Sequence, residues 1–152
     1  MGTVLLSGLL GTVGCGLPKR ELAARMKVGG KLTLQVIPSD AANNNSPVAM
    51  DVVMVEDKKL MDVLGGMSAG DWFQKREQVQ LDHPGKIKIL THLELVPGQP
   101  FGPQKFSVGP KFVGGFIFLN YFTPGAHRAL IDLRKPLVLN LLQNDFAIQP
   151  EK

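Results

Sequence analysis

Lys86-Ile-Lys-Ile-Leu-Thr-His-Leu-Glu-Leu-Val96 is the stretch that decides the fold class of this 152-residue chain. Apolar and polar residues alternate along it, which is the period of a half-buried β-strand. The alternation places four apolar side chains on one face and slips at Leu90. After Gly85, further short apolar runs follow to the end of the chain, separated by turns rich in Gly and Pro. The sequence therefore predicts a β-rich C-terminal half.

Strand patterns also occur upstream of this stretch. Residues 31–37 alternate, and residues 48–55 form a β-branched run in which Asp51 is the only charge. Two helical patterns follow: residues 57–66, and residues 68–82, which begin with a capping box of Ser68 and Asp71 and have Trp72 as their main buried group. The other predicted strands are residues 105–108, 112–122, 127–133, 137–142 and 145–148.

This order of elements indicates the architecture. About eight strands, with turn signals about every 8 to 12 residues, are typical of a β-sandwich. The two helical patterns lie between strands and predict a short helical insertion that covers one sheet or one end of the body. We therefore expect a mainly β protein, a two-sheet β-sandwich with a helical insertion.

The net charge of +4 is concentrated near the N-terminus. Residues 19–31 contain five Lys and Arg residues against Glu21 alone, whereas basic and acidic residues balance from residue 32 onward. A nucleic-acid-binding domain carries its basic surface on the folded body and interleaves it with aromatic residues. The distribution therefore argues against a nucleic-acid partner, and its simplest alternative reading is a solvated tail.

The residues before the basic segment suggest a lipid anchor. Residues 3–13 form an apolar run that is too short to span a bilayer, and Gly14 and Cys15 follow it. This pattern resembles the bacterial lipobox, in which the cysteine thiol receives a lipid, and Gly16 would direct the anchor to the outer membrane. We thus expect a signal peptide at residues 1–14, a lipidated tether at 15–30 and a β-sandwich at 31–152. The alternative is an N-terminal core strand with one buried cysteine.

One short motif resembles a catalytic site. Residues 66–70 match G-x-S-x-G, and Asp82 and His127 follow Ser68 in the chain order of a hydrolase triad. A helical pattern precedes Ser68 where a nucleophile elbow needs a buried strand, so a helix-capping serine is the favoured reading. The protein is predicted not to be an enzyme.

No metal site or cofactor is expected beyond a covalent lipid on Cys15. The three histidines, His83, His92 and His127, show no metal-ligand spacing. His92 lies opposite the apolar residues of its strand and is expected to be exposed.

Three short motifs resemble a known family. Asn45-Ser46-Pro47-Val48 opens a strand after an Asn-rich loop, Pro97-Gly98 forms a later turn, and Phe112-Val113-Gly114 opens a hydrophobic strand. Together with Cys15 they resemble TssJ, the outer-membrane lipoprotein of type VI secretion systems, over roughly residues 12–135. The chain departs from the family in its first loop and in an elaborate helix at residues 68–82.

The resemblance implies a fold and a role. It implies a transthyretin-like sandwich, lipid-anchored at the periplasmic face of the outer membrane. This sandwich would dock the periplasmic domain of the large inner-membrane subunit TssM, in a complex that includes TssL. The family's docking loop corresponds here to Ser39, Asp40, Ala41, Ala42, Asn43, Asn44, Asn45 and Ser46.

Alternatives remain open for both the loop and the protein. The loop is polar and expected to have no role in the core, so it could equally be an ordinary solvent loop. The protein as a whole could be a lipid-anchored pilotin of another secretion system, or a binding module that holds a small ligand between its sheets.

Overall fold

The computed structural model describes residues 29–149, and two four-stranded sheets packed face to face form their framework. The elements in chain order are β1 (Gly30–Pro38), α1 (Ala42–Asn45), β2 (Val48–Val55), α2 (Lys58–Gly65), α3 (Ala69–Asp82), β3 (Ile87–Leu95), β4 (Phe101–Val108), β5 (Gly114–Asn120), β6 (Arg128–Leu130), β7 (Leu137–Leu141) and β8 (Phe146–Ile148).

The strand order is β4-β1-β7-β8 in one sheet and β3-β2-β5-β6 in the other. β1 and β7 run parallel, and the other neighbouring strands are antiparallel. The predicted mainly β sandwich of about eight strands with a helical insertion is confirmed.

The main core fills the space between the sheets. Leu32 and Leu34 of β1 and Met50 and Val52 of β2 point into it and are fully shielded from solvent. They occupy alternate positions because the period of a strand sends every second side chain to the same face. The alternation that predicts the strands is thus the pattern that fills this core.

β2 is buried on its outer face as well, because α2 and α3 cover it. Val53 and Val55 belong to a second cluster with Trp72 and Phe118, and the rings of Trp72 and Phe118 stack with centroids 5.1 Å apart. Trp72 is fully buried, as the sequence predicts. The molecule therefore has three layers: two sheets, and a helical layer on one of them.

Side-chain caps fix where both long helices begin. The Asp57 carboxylate accepts hydrogen bonds from the backbone N–H groups of Lys59 and Leu60 at the start of α2. Ser68 and Asp71 form the predicted capping box at the start of α3. Such caps satisfy backbone donors that lack a partner within the helix.

The two outer strands β3 and β4 show how local irregularity affects prediction. In β3 the pairing with β2 skips Leu90, since Val52 pairs with Thr91 and Val53 with Ile89, and this confirms the predicted slip. β4 was expected only at residues 105–108, with a turn over 100–103, but it begins at Phe101. The expectation was wrong because β4 is an edge strand. One side of an edge strand has no neighbour, so the missing N–H of Pro103 need not cost a hydrogen bond between strands.

Two observations bear on the expected membrane attachment. No helix between residues 29 and 149 combines the length and the hydropathy of a transmembrane span. Gly30, the last residue of the expected tether, is the first residue of β1.

Candidate functional site

Four loops meet at one end of the sandwich, and we call this surface the loop end. It consists of residues 39–47, 96–100, 121–127 and 142–145. Hydrogen bonds join the loops to one another: Gly98 N–H donates to Ser39 O over 3.2 Å, Asn43 N–H to Leu142 O over 3.2 Å, and the Thr123 hydroxyl to Asn144 O. The predicted docking loop is therefore one part of a larger, interconnected surface.

The Asn-rich loop folds into a left-handed turn at α1. Asn43, Asn44 and Asn45 have φ values of 48°, 54° and 59°. Asn is one of the few residues other than Gly that tolerate this region of backbone conformation. Three asparagines in succession therefore allow a turn that most other sequences would strain.

Asn43 anchors this turn inside the protein. Its side chain is fully buried, donates to Pro47 O over 3.0 Å and accepts from the backbone N–H of Phe122 over 2.8 Å. Ala42 beside it is 1% exposed and belongs to the main core. The expectation that this loop has no role in the core is thus wrong for these two residues. Asn43 replaces hydrogen bonds that the neighbouring loop would otherwise make with water.

Burial divides the eight predicted docking residues into two groups. Ala42 and Asn43 are buried and Ser39 and Ser46 are half-buried. The exposed members are Asp40, Ala41, Asn44 and Asn45. Only this second group is available for a partner without rearrangement of the loop.

Sequence reasoning missed two apolar side chains of the loop end. Phe122 is 73% exposed and Leu142 is 48% exposed. Asn43 touches both loops, because its side chain accepts from Phe122 N–H and its own N–H donates to Leu142 O. The signal available in the sequence was an aromatic residue placed directly before the Thr-Pro-Gly turn at 123–125.

The charges of the loop end contrast with those of the whole chain. Asp40 and Asp145 are its only acidic residues, and its four loops contain no Lys or Arg although the chain carries a net +4. The Asp40 carboxylate lies against Gly98, where a Cβ would meet its Oδ1 at 2.5 Å. Gly98 also has a φ of +73°, so the Pro97-Gly98 turn needs glycine for both reasons.

The buried side chain of His127 links two loops of the loop end. His127 Nδ1 lies 2.9 Å from Asp145 Oδ1, and its Nε2 lies 2.8 Å from the carbonyl oxygen of Thr123. The imidazole stacks on Tyr121 with centroids 4.9 Å apart. Burial, followed by the Asp145 charge, raises the pKa of Tyr121 to about 12, so this phenol is neutral at physiological pH. The His127–Asp145 contact joins loops that belong to different sheets.

Ser68 is a helix cap and not part of a nucleophile elbow. Its hydroxyl donates to Asp71 Oδ2 over 2.8 Å and accepts from the Asp71 N–H. Asp82 lies at the other end of the 14-residue helix, about 20 Å away by the rise of an α-helix. The triad residues considered from the sequence are therefore not brought together. His127, the third of them, is engaged with Asp145.

The other two histidines are far from this surface. His92 has a side chain that is 44% exposed, as expected, and its Nδ1 contacts the buried Asp51. His83 ends α3 and is exposed. Within residues 29–149, no group of three or more His, Cys, Asp or Glu side chains is arranged to hold a metal ion. Cys15 and the predicted signal peptide lie outside the described residues.

Comparison with known proteins gives matches at the level of structure. No family model and no curated protein sequence matches the chain. The type VI secretion lipoprotein TssJ1 from Pseudomonas aeruginosa superposes with a TM-score of 0.61 at 10% identity, covering 82% of this chain and 99% of that one. Serratia marcescens Lip, a membrane-bound component of the type VI secretion system, gives 0.61 at 11% identity, with 82% and 100% covered.

A third match comes from a structure described as the TssM C-terminal domain from EAEC. It gives a TM-score of 0.58 at 12% identity, covering 80% of this chain and 99% of the matched chain. At these identities the likeness shows the fold: this chain is folded as the TssJ lipoproteins are, over nearly their whole length. The resemblance to TssJ expected from the sequence is thus confirmed in the fold.

Proposed function

We propose that this chain is a divergent TssJ-type lipoprotein, a structural subunit of a type VI secretion membrane complex without catalytic activity. The observation that carries the proposal is the structural match to TssJ lipoproteins, which covers 82% of this chain and nearly all of theirs. The short motifs around Ser46-Pro47 and Cys15 support it from the sequence alone. Two proteins with about 10% identity can share a fold and differ in function, so the role needs its own argument and test.

The proposed location is the periplasmic face of the outer membrane, with a lipid on Cys15 as the anchor. Gly14 and Cys15 after an apolar run support acylation, and Gly16 supports the outer membrane as the destination. Basic residues between positions 19 and 27 would add attraction to anionic headgroups. Stable anchoring takes two such signals when the lipid alone is marginal.

The proposed partner is the periplasmic domain of a TssM-like inner-membrane subunit and, through it, a TssL-like subunit. The loop end supports this because it carries two exposed apolar groups, Phe122 and Leu142, together with exposed polar residues, Asp40, Asn44 and Asn45. An apolar centre with a polar rim is the usual anatomy of a protein interface, and aromatic residues often carry most of the binding energy. The lack of Lys and Arg on this surface favours a neutral or basic partner face.

The geometry of β1 supports this arrangement. Gly29 precedes β1 at one end of the sandwich, and Ser39 follows it at the loop end. The nine residues of β1 span about 30 Å. An anchor on the N-terminal side would therefore leave the loop end directed away from the membrane.

Co-purification from detergent-solubilised envelopes tests the proposal. We compare the wild-type chain with Phe122→Asp and with the control Leu81→Asp, whose side chain is 75% exposed on α3 and lies away from the loop end. The wild type and Leu81→Asp are expected to recover a TssM-like protein, identified by mass spectrometry, and Phe122→Asp to recover about tenfold less.

Other results would contradict the proposal. Equal recovery by the two variants would rule out Phe122 as a docking residue. Recovery of a secretin in place of a TssM-like protein would instead support the pilotin alternative.

A further inference from the structure

A cavity opens at the end of the sandwich opposite the loop end. Its volume is about 520 Å³, and Met54, Phe112, Ile131 and Leu133 contribute to its largely apolar wall. Gly29, the first described residue, lies at its edge. No residue of the loop end lines this cavity.

The mouth of the cavity is apolar as well. Leu130 is 62% exposed and Val113 is 53% exposed, and both line the cavity. A single exposed apolar side chain needs no explanation. Two of them beside an open apolar cavity form a continuous apolar path from the surface toward the core, which suits a ligand with a long hydrocarbon part.

An ion pair of Asp132 and Arg134 lies beside this mouth. Arg134 donates from Nε to Asp132 Oδ1 over 2.9 Å and from Nη2 to Asp132 Oδ2 over 2.8 Å. Its side chain is 89% exposed, and its Nη1 has no hydrogen-bond partner among residues 29–149. The bidentate pair orients the guanidinium and leaves one nitrogen free for an anion. The Asp132 carboxylate lines the cavity as well and neutralises the pair, so the guanidinium N–H groups left free by Asp132 are what the mouth offers to the headgroup of an anionic amphiphile.

We propose that this cavity binds one acyl chain of an anionic membrane lipid, with the headgroup or carboxylate at Arg134. The volume lies in the range of small-molecule binding sites. Each methylene that enters an apolar site should raise affinity about fourfold until the cavity is filled. Affinity should therefore rise with chain length and then level off.

The position of the cavity favours membrane lipid as the source. Cys15 stands only 14 residues before Gly29 in the sequence, so the covalent chain keeps the two within about 50 Å of each other. A lipid anchor at Cys15 would thus hold the mouth close to the headgroups, and in this respect the inference rests on the proposed function. The lipid on a lipoprotein cysteine is itself uncharged, so Arg134 favours a free anionic lipid over the protein's own anchor.

Fluorescence titration of the full chain carrying Cys15→Ser with cis-parinaric acid tests the proposal. We expect saturable binding of one molecule, weakened about tenfold by Leu130→Asp and unchanged by the control Leu81→Asp, whose side chain is also exposed. Arg134→Gln should weaken competition by decanoate about tenfold and leave competition by decanol unchanged. Unfolding midpoints of all variants should match, since the substituted side chains are exposed.

Three results would overturn the proposal. The first is no saturable binding, which would follow if the chain's own residues before Gly29 already fill the cavity. The second is equal binding by Leu130→Asp and Leu81→Asp. The third is binding by Cys15→Ser but not by the acylated protein, which would assign the cavity to the protein's own anchor. None of these measurements uses the loop end or a protein partner, so this inference and the docking role can fail separately.

Discussion

Trp72 Nε1 donates a hydrogen bond of 2.8 Å to Asp51 Oδ2, and this bond fastens α3 to the centre of β2. Asp51 is fully buried, and Arg76 Nη1 donates to the same oxygen over 2.9 Å. His92 Nδ1 contacts the other carboxylate oxygen. A buried carboxylate is tolerated when it is paired and hydrogen-bonded. The polar contacts of Asp51 therefore link the helical layer to the sheet beneath it.

Asp51→Ala should destabilise the protein by about 3 kcal/mol, because it leaves the buried Trp72 N–H without an acceptor and Arg76 without its counter-charge. Urea denaturation followed by circular dichroism measures this. Asp62→Ala, an exposed position on α2, is the control and should stay within about 0.5 kcal/mol of wild type. A loss below 1 kcal/mol for Asp51→Ala would show that these contacts are not needed for stability.

Asn43→Gly should lower the free energy of unfolding by about 2 kcal/mol. Glycine permits the left-handed backbone but removes the hydrogen bonds to Pro47 O and Phe122 N–H. Asn45→Gly, at an exposed position of the same turn, should change stability by less than about 0.5 kcal/mol. The same denaturation experiment compares them, and equal effects would contradict the anchoring role of Asn43.

Tyr121→Phe should be neutral or stabilise the protein by up to about 1 kcal/mol. The Tyr121 hydroxyl is buried, and its one polar neighbour among residues 29–149, the Leu142 N–H, already donates to Asp145 O over 2.8 Å, so removing the hydroxyl abolishes a desolvation cost and loses at most a weak contact. Trp72→Phe is the contrasting variant, since its indole N–H is bonded to Asp51, and it should be clearly destabilising. A large loss of stability in Tyr121→Phe would indicate that the hydroxyl has a partner after all.

The free energy of unfolding should fall in acid because the carboxylates that cap two helices become protonated. Hydrogen bonds from the Leu60 and Lys59 N–H groups lower the pKa of Asp57, and the Ser68 hydroxyl and N–H lower the pKa of Asp71, both from an ordinary value of 3.8. A folded-state pKa below the unfolded one means that the contribution is complete above about pH 4 and is lost as pH falls through the folded pKa.

Urea midpoints between pH 6 and pH 2 measure this acid effect. Asp71→Asn should flatten the acid limb, because asparagine at this position cannot be protonated in that range. Asp62→Asn, which removes an exposed carboxylate that does not cap a helix, serves as the control. If Asp71→Asn keeps the wild-type acid limb, the capping box is not a source of the pH dependence.

Cys15→Ser should release the protein from the membrane without changing its folded body. We expect wild type in the outer-membrane fraction after sucrose-gradient separation and Cys15→Ser in the soluble periplasmic fraction, with equal unfolding midpoints. Mass spectrometry of the mature N-terminus should find the lipid on wild type alone. A Cys15→Ser protein that still sediments with the outer membrane would contradict the anchor.

Local patterns predicted the strands and helices because their causes are local. The alternation around Leu90 even located the irregularity in β3, and the Ser68–Asp71 spacing located the start of α3. The early start of β4 was missed because Pro103 reads as a turn residue unless one knows that the strand is at an edge.

The site was harder to predict because its residues are far apart in sequence. Asn43 is buried only because loops near residues 122 and 142 fold over it, which no window of sequence contains. Asp51 was visible as the single charge of an apolar strand, but its partners Arg76 and His92 lie 25 and 41 residues away. The role of Phe122 was hidden for the same reason, because the surface on which its side chain is exposed exists only when the four loops are assembled.

β1 runs from one end of the sandwich to the other, and this has a mechanical consequence. β1 is paired with β4 from Gly30 to Val36 and with β7 from Leu34 to Pro38. If the membrane pulls on the N-terminal side of β1 and the partner pulls on the loop after β7, the force runs parallel to both strands. It then shears the bonds between them together, whereas a peeling force would break them one by one. The helical layer would carry none of this tension, and the domain could bear load without unzipping strand by strand.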